Sequence, residues 1–142
     1  MHPVQVRLVT DSWERIQDHG TGLAQAFYGR LFQLDPRIKD LFALAEMDSQ
    51  GEKFMAMLTE LVHVAEDPDR FESMLRDSGR RHGGYGVVPR DYRTVGEALL
   101  WAIDAALPGG MDHPTREAWA EAYTRMSSLM QGRSLREAGL SD

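Results

Sequence analysis

His82 is the side chain best placed to do chemistry. It continues the apolar register Phe71, Met74, Leu75, Ser78, His82 at the last turn of its expected helix, so its imidazole faces inward. An inward neutral imidazole on a rigid helix suits two roles. It can be a core histidine bonded to a carbonyl, or an axial ligand of the kind an iron porphyrin requires, with its other ring nitrogen held by a second partner. Tyr28 stands on the inward stripe Ala24, Phe27, Tyr28, Leu31, where a buried phenol must find a partner. Gln50 lies at the first turn of another helix, with Phe54 one turn later on the same face. Alone, Tyr28 reads equally as a core tyrosine and Gln50 as a helix-start residue bonding its own backbone. Together with His82 they describe a pocket for a small polar ligand bound to metal. The other four of the five histidines read as solvent-facing: His2 at the terminus, His19 before Gly20, His113 before Pro114, and His63 off the stripe 54, 58, 61, 65.

The elements that must carry these groups are all helical, because apolar residues recur at three and four with no sustained alternation. Val6, Val9, Trp13 and Ile16 mark a helix from about Pro3 to Gly20. The Tyr28 helix stops before Asp35-Pro36, and a short piece covers 36 to 42. Ser49 and Glu52 have capping-box spacing, which predicts that the Gln50 helix starts there; its stripe is Gln50, Phe54, Met57, Leu58, Leu61, Ala65. Asp67-Pro68 opens the His82 helix and Gly83-Gly84 ends it. Pro89 opens the next, with Tyr92, Val95, Leu99, Ile103 and Leu107 in register, closed by Pro108-Gly109-Gly110. Asp112-His113-Pro114 opens the last, with stripe Trp119, Ala122, Tyr123, Met126, Met130, and the tail 132–142 is polar. Trp13, Trp101 and Trp119 all fit helical stripes, and core packing accounts for them. Six or seven helices exceed what a simple bundle needs.

With 142 residues, 42% of them hydrophobic and 27% charged, the expectation is one domain, residues 1–142, with its core over about 6–131. The net charge of −6 opposes nucleic acid and anionic lipid. No cysteine is present, so thiol catalysis, disulfides and thiolate metal sites are excluded. The first residues lack an apolar secretion core and no run reaches the ~20 apolar residues of a membrane span, so the expected location is the cytoplasm, with no membrane partner. Metalloprotease, nucleophile-elbow and Walker patterns are missing. The glycines of Arg81-His82-Gly83-Gly84-Tyr85-Gly86 lack a preceding strand and read as a helix stop, and the carboxylates Glu66, Asp67 and Asp69 fit a helix start.

The order of signals carries a resemblance. It runs Ala26-Phe27-Tyr28-Gly29-Arg30-Leu31-Phe32, Asp35-Pro36, Leu41-Phe42, Gln50 with Lys53-Phe54, Arg80-Arg81-His82-Gly83-Gly84-Tyr85-Gly86-Val87, then Tyr92 through Leu100, then Trp119 with Tyr123. Over about residues 6–131 the chain resembles bacterial single-domain globins and is similar to the haem domain of flavohaemoglobins. The resemblance implies an all-α globin fold, six to seven helices in a three-over-three arrangement around haem b.

By position, His82 would bind the iron, Tyr28 and Gln50 would contact the ligand, and Phe42 would pack on the porphyrin near a helix corner. Phe54, where many relatives have Leu, would narrow ligand entry. Tyr92 would support the proximal side, and Tyr85, Val87, Val95, Leu99 and Met126 would complete the lining. Lys53 and Arg81 are candidates for the propionates, or plain surface charges. The last-helix Glu of flavohaemoglobins falls at Ser134 here, which weakens a peroxidase or dioxygenase assignment. His63, 13 residues beyond Gln50, lies about 20 Å along a straight helix and cannot easily close the sixth iron position.

The implied ligands are O2, NO and CO. Two donors at roughly 0.5–1.5 kcal/mol each would slow oxygen release about 5- to 150-fold. Such holding fits reaction with nitric oxide, sensing or scavenging better than oxygen transport. Three functions therefore stand: reversible O2 and NO binding, nitric oxide dioxygenation fed by a separate reductase, and a haem-based sensor. A cofactor-free interaction module remains the alternative outside haem chemistry.

Overall fold

The computed structural model describes residues 2–19, 22–41, 47–64, 67, 70, 73 and 89–130, all of whose regular elements are helices. Of the helix expected over 71–82 only position 73 is described, and it is helical; His82 lies outside the described residues, as do Phe42, Arg81, Tyr85, Val87 and the 132–142 tail. So do the side chains of His19, Ser49, Met57, Leu61, His63, Met126 and Met130.

Helix α1 spans Pro3–His19. Its first turn is closed by His2, whose carbonyl accepts the N–H of Gln5 and of Val6 and whose Nδ1 accepts the Val4 N–H at 3.1 Å. The terminal histidine thus does more than face solvent: it supplies a cap. The predicted stripe Val6, Val9, Trp13, Ile16 is buried throughout. Helix α2, Leu23–Leu34, buries Leu23, Phe27, Tyr28 and Leu31. Asp35 then both ends it and starts the next element, since its N–H donates to Leu31 and its carboxylate accepts the Arg37 N–H at 3.0 Å. Helix α3, Pro36–Leu41, buries Ile38 beneath it.

Helix α4 covers Met47–Val64 and corrects one expectation. It begins two residues before Ser49, so Ser49 and Glu52 both lie inside the helix and the expected start falls two residues late. The spacing rule locates a helix start only to within one or two residues. Phe54, Leu58 and Val62 are its buried line. The Asp67 cap does form, with the Arg70 N–H donating to its carboxylate.

Helix α5 spans Pro89–Ala106 and α6 spans His113–Met130. Between them Gly109 and Gly110 take left-handed φ of 80° and 76°, which L side chains rarely adopt. The Asp104 carboxylate accepts the Met111 N–H at 2.8 Å and stands where a Gly110 Cβ would be crowded, at 3.0 Å. Asp112 caps α6 through the Thr115 N–H at 2.9 Å, and the hydrogen bonds from Thr115 hold its carboxyl below the usual carboxylate range.

Two crossings organise the core: α2 against α5, and α1 against α6. The second is joined by a polar contact that periodicity does not reveal. Trp119 Nε1 donates to Ser12 Oγ at 2.8 Å, and the Ser12 hydroxyl lies against the Leu8 and Val9 carbonyls of its own helix. Trp13 and Trp119 are core residues as expected, but Trp101 is 44% exposed. It sits two positions from both Leu99 and Ile103, about 200° around the helix from each, so the stripe that buries them turns it outward. Among the described residues, no helix is long and apolar enough to cross a membrane.

Candidate functional site

The aromatic residues of α2 and α4 meet where those two helices approach. Phe27 stacks on Phe54 with centroids 4.4 Å apart and planes 9° from parallel, and Tyr28 stands edge-on to both, at 4.9 and 5.9 Å. Phe32 flanks Tyr28 at 6.0 Å. Three rings from two helices thus fix one another. Phe54 cannot swing without unstacking Phe27, and the Tyr28 ring is clamped by both.

The close approach has a local cause. A Cβ on Gly51 would stand 3.4 Å from the Ala24 Cβ, so two small residues let α2 and α4 come together one turn before Tyr28. Gln50, half-buried beside Gly51, thereby reaches Tyr28 and the two side chains are hydrogen-bonded. Burial raises the Tyr28 phenol above its ordinary range, and the Gln50 hydrogen bond opposes this in part. At neutral pH the phenol keeps its proton and can donate. Sequence alone places both groups on inward faces; their joining depends on the Ala24–Gly51 contact.

Helix α5 provides a second wall. Tyr92 and Leu99 are buried and Val95 is half-buried, as their register predicts. The Tyr123 hydroxyl of α6 donates to the Tyr92 carbonyl, and the Tyr123 ring lies over Gly96. Burial, reinforced by the neighbouring Tyr92 phenol, pushes the Tyr123 phenol up, so it too remains a donor. In the sequence Tyr123 stands as a stripe residue and, with Trp119, as part of the resemblance, with no partner indicated. The signal for its role is the glycine one turn after Tyr92, a gap in α5 that an aromatic ring from α6 can fill. Lys53 is exposed on α4. The structure therefore brings Tyr28, Gln50 and Phe54 together and gives Tyr92, Val95 and Leu99 inward positions, while His82, Arg81, Phe42, Tyr85, Val87 and the Met126 side chain are outside what it describes. The arrangement offers a neutral phenol and an amide beside apolar walls, which suits hydrogen bonding to a small, electron-rich ligand.

Comparison with known proteins bears on this geometry. A crystal structure of a Pseudomonas aeruginosa PAO1 protein, described as structurally highly homologous to a human haemoglobin, superposes with a TM-score of 0.81. It is 26% identical and covers 90% of this chain and 96% of that one. A flavohemoprotein of Rhizobium meliloti is 32% identical over 82% of this chain and 30% of its own length, and one from Xylella fastidiosa is 31% identical over 92% and 33%. The chain therefore spans about a third of the flavohemoproteins it matches. A neuroglobin of Danio rerio is 27% identical over 87% of this chain and 86% of its own. The family model described as Globin matches residues 25–130, which include Tyr28, Gln50, Phe54, Tyr92 and Tyr123, and on that match the chain belongs to the globin family.

Proposed function

We propose that this chain is a haem b protein that binds O2 and NO, and CO as a competing ligand, with residues 1–142 forming one cytoplasmic globin domain. The observation that carries the proposal is the hydrogen-bonded Tyr28–Gln50 pair set against the Phe54–Phe27 stack. The described residues fit a haem: apolar and aromatic walls come from α4 and α5, and two neutral donors come from α2 and α4. In this reading His82 holds the iron, and Phe42, Phe54, Tyr85, Val87, Tyr92, Val95, Leu99 and Met126 line the ring. Lys53, exposed on α4, and Arg81 serve the propionates. When bound, the haem supplies an iron that takes up diatomic gases.

The chain's own part is selectivity. Tyr28 and Gln50 donate to a ligand whose outer atom gathers negative charge, which favours O2 over the less polar CO. The stack holds the Tyr28 ring in place, so no reorganisation is needed when ligand arrives. Buried walls keep competing water from the donors.

The test is hemin titration of the purified protein, followed by oxygen dissociation from the ferrous form in stopped flow. The proposal expects a Soret band, tight retention that His82→Ala abolishes, and slow oxygen release. A protein that takes up no hemin ends the haem reading; unchanged retention in His82→Ala removes His82 as ligand.

Similarity to flavohemoproteins favours a second reading, nitric oxide dioxygenation with electrons from a separate reductase. It expects nitrate formation over many cycles with an added reductase; a single stoichiometric turnover counts against it.

A further inference from the structure

We infer that the α2–α5 surface centred on Trp101 joins two copies of this chain about a twofold axis. Among the described residues the exposed large apolar side chains are Val4, Leu34 and Trp101, at 59%, 37% and 44%. Two of the three belong to this face. The Arg30 guanidinium lies over the Trp101 ring at 5.3 Å, and Leu34 follows Arg30 by one turn of α2. Along α5, Glu97, Trp101 and Ala105 are exposed at four-residue intervals, a straight line on one side of the helix. Gly29, beside Arg30, has no heavy atom within 4 Å of where a Cβ would stand. The exposed indole is the projecting group of this face.

The charges select the occupant. Among the described residues neither Arg30 nor Glu97 pairs with an opposite charge in the chain. A contact that repeats on both subunits must carry its own complement within one patch. Arg30 lies over the Trp101 ring and Glu97 stands one turn before it on the same side of α5, so in a second copy turned through a half-turn Arg30 would meet the partner's Glu97 and Glu97 the partner's Arg30. A partner of uniformly acidic or basic surface satisfies one group and opposes the other. With a net charge of −6, copies repel except where the signs alternate, which confines the contact to a patch of this kind. Trp and Arg are also the residue types that most often anchor interfaces. The inference does not depend on haem.

Sedimentation equilibrium of the full chain tests it, from about 10 µM to about 1 mM, the range of weak and transient interfaces. The expected result is a monomer–dimer equilibrium that Trp101→Glu weakens by about tenfold or more. Arg30→Glu and Glu97→Arg should each weaken it by about tenfold, because symmetry places every reversed charge against its like twice. Combining the two reversals should bring the dissociation constant back to within about threefold of the original. Far-ultraviolet circular dichroism confirms that each variant is folded. A chain that stays monomeric throughout leaves Trp101 for a different partner and overturns the inference. So does a dimer indifferent to Trp101→Glu, or a double reversal no better than either single one.

Discussion

Helix propensity and the structure predict opposite signs for Gly96→Ala. In the middle of an exposed helix this change stabilises by about 1 kcal/mol, because glycine loses more backbone freedom on folding. Here a Cβ at position 96 would stand 2.4 Å from Tyr123 Cε1, 2.7 Å from Cδ1 and 3.2 Å from Cζ. Those are ring atoms, so the whole side chain must move. Tyr123 is held by its hydroxyl on the Tyr92 carbonyl, one turn before Gly96 along α5. Overpacking of this kind costs about 1–3 kcal/mol, and a buried phenol drawn off its acceptor costs about 1–3 more. Even the lower values together exceed the propensity gain, leaving a net loss of about 1–5 kcal/mol. Urea unfolding reads this as a lower midpoint at unchanged slope. In a Tyr123→Ala background the ring is gone, and Gly96→Ala should become neutral or stabilising, a coupling that a double-mutant cycle isolates. Stabilisation by Gly96→Ala in the otherwise unaltered chain would refute the reasoning, since it would mean that the ring does not occupy the gap.

Three further outcomes follow from the side-chain contacts of the fold. Tyr28→Phe removes the phenol that Gln50 holds, and oxygen dissociation should quicken by about 2- to 13-fold, one hydrogen bond's worth; an unaltered rate removes Tyr28 from the ligand's surroundings. Ser12→Ala strips Trp119 Nε1 of its acceptor in the core, and chemical denaturation should show a loss of about 1–3 kcal/mol; a change below about 0.5 would mean that the indole finds another acceptor. Asp112 has a lowered folded pKa, so its contribution is present above the unfolded carboxylate value of about 3.9 and is lost as pH falls through the lower folded one. Thermal melts of Asp112→Ala and the parent chain should therefore differ at neutral pH and converge in strong acid; a gap that persists below about pH 2 would assign the effect to something other than charge.

How far the sequence disclosed this arrangement depends on the range of the interaction concerned. Periodicity reports which face of a helix is inward, and Val9, Trp13, Ile16, Phe27, Tyr28 and Leu31 are buried as that rule requires. Caps are equally local: Asp35, Asp67 and Asp112 accept N–H groups two or three residues ahead, so residue type and spacing suffice. Ser49 shows the limit, because α4 starts at Met47 and the same pattern of residues lies inside the helix. Contacts between helices have no such signature. Ser12 to Trp119 crosses 107 positions, and Tyr123 to Tyr92 crosses 31.

Trp101 shows why residue type misleads where angle does not. Indoles belong in cores on average, and Trp13 and Trp119 are both at 2% exposure. Trp101 shares a helix with the buried Leu99 and Ile103, but two residues on either side of it turn the chain about 200°, so an inward Leu99 and Ile103 oblige it to face out. The stripe 92, 95, 99, 103, 107 already contains that conclusion, since 101 is not a member of it. What the stripe cannot supply is the guanidinium from α2 that lies over the ring, a contact set by how α2 crosses α5. The same dependence governs the site. Tyr28 and Gln50 are each legible as inward polar groups, but it is the small residues Ala24 and Gly51 that let their helices come near enough to join them, so the placing of the two polar groups is decided partly by residues that carry no chemistry of their own.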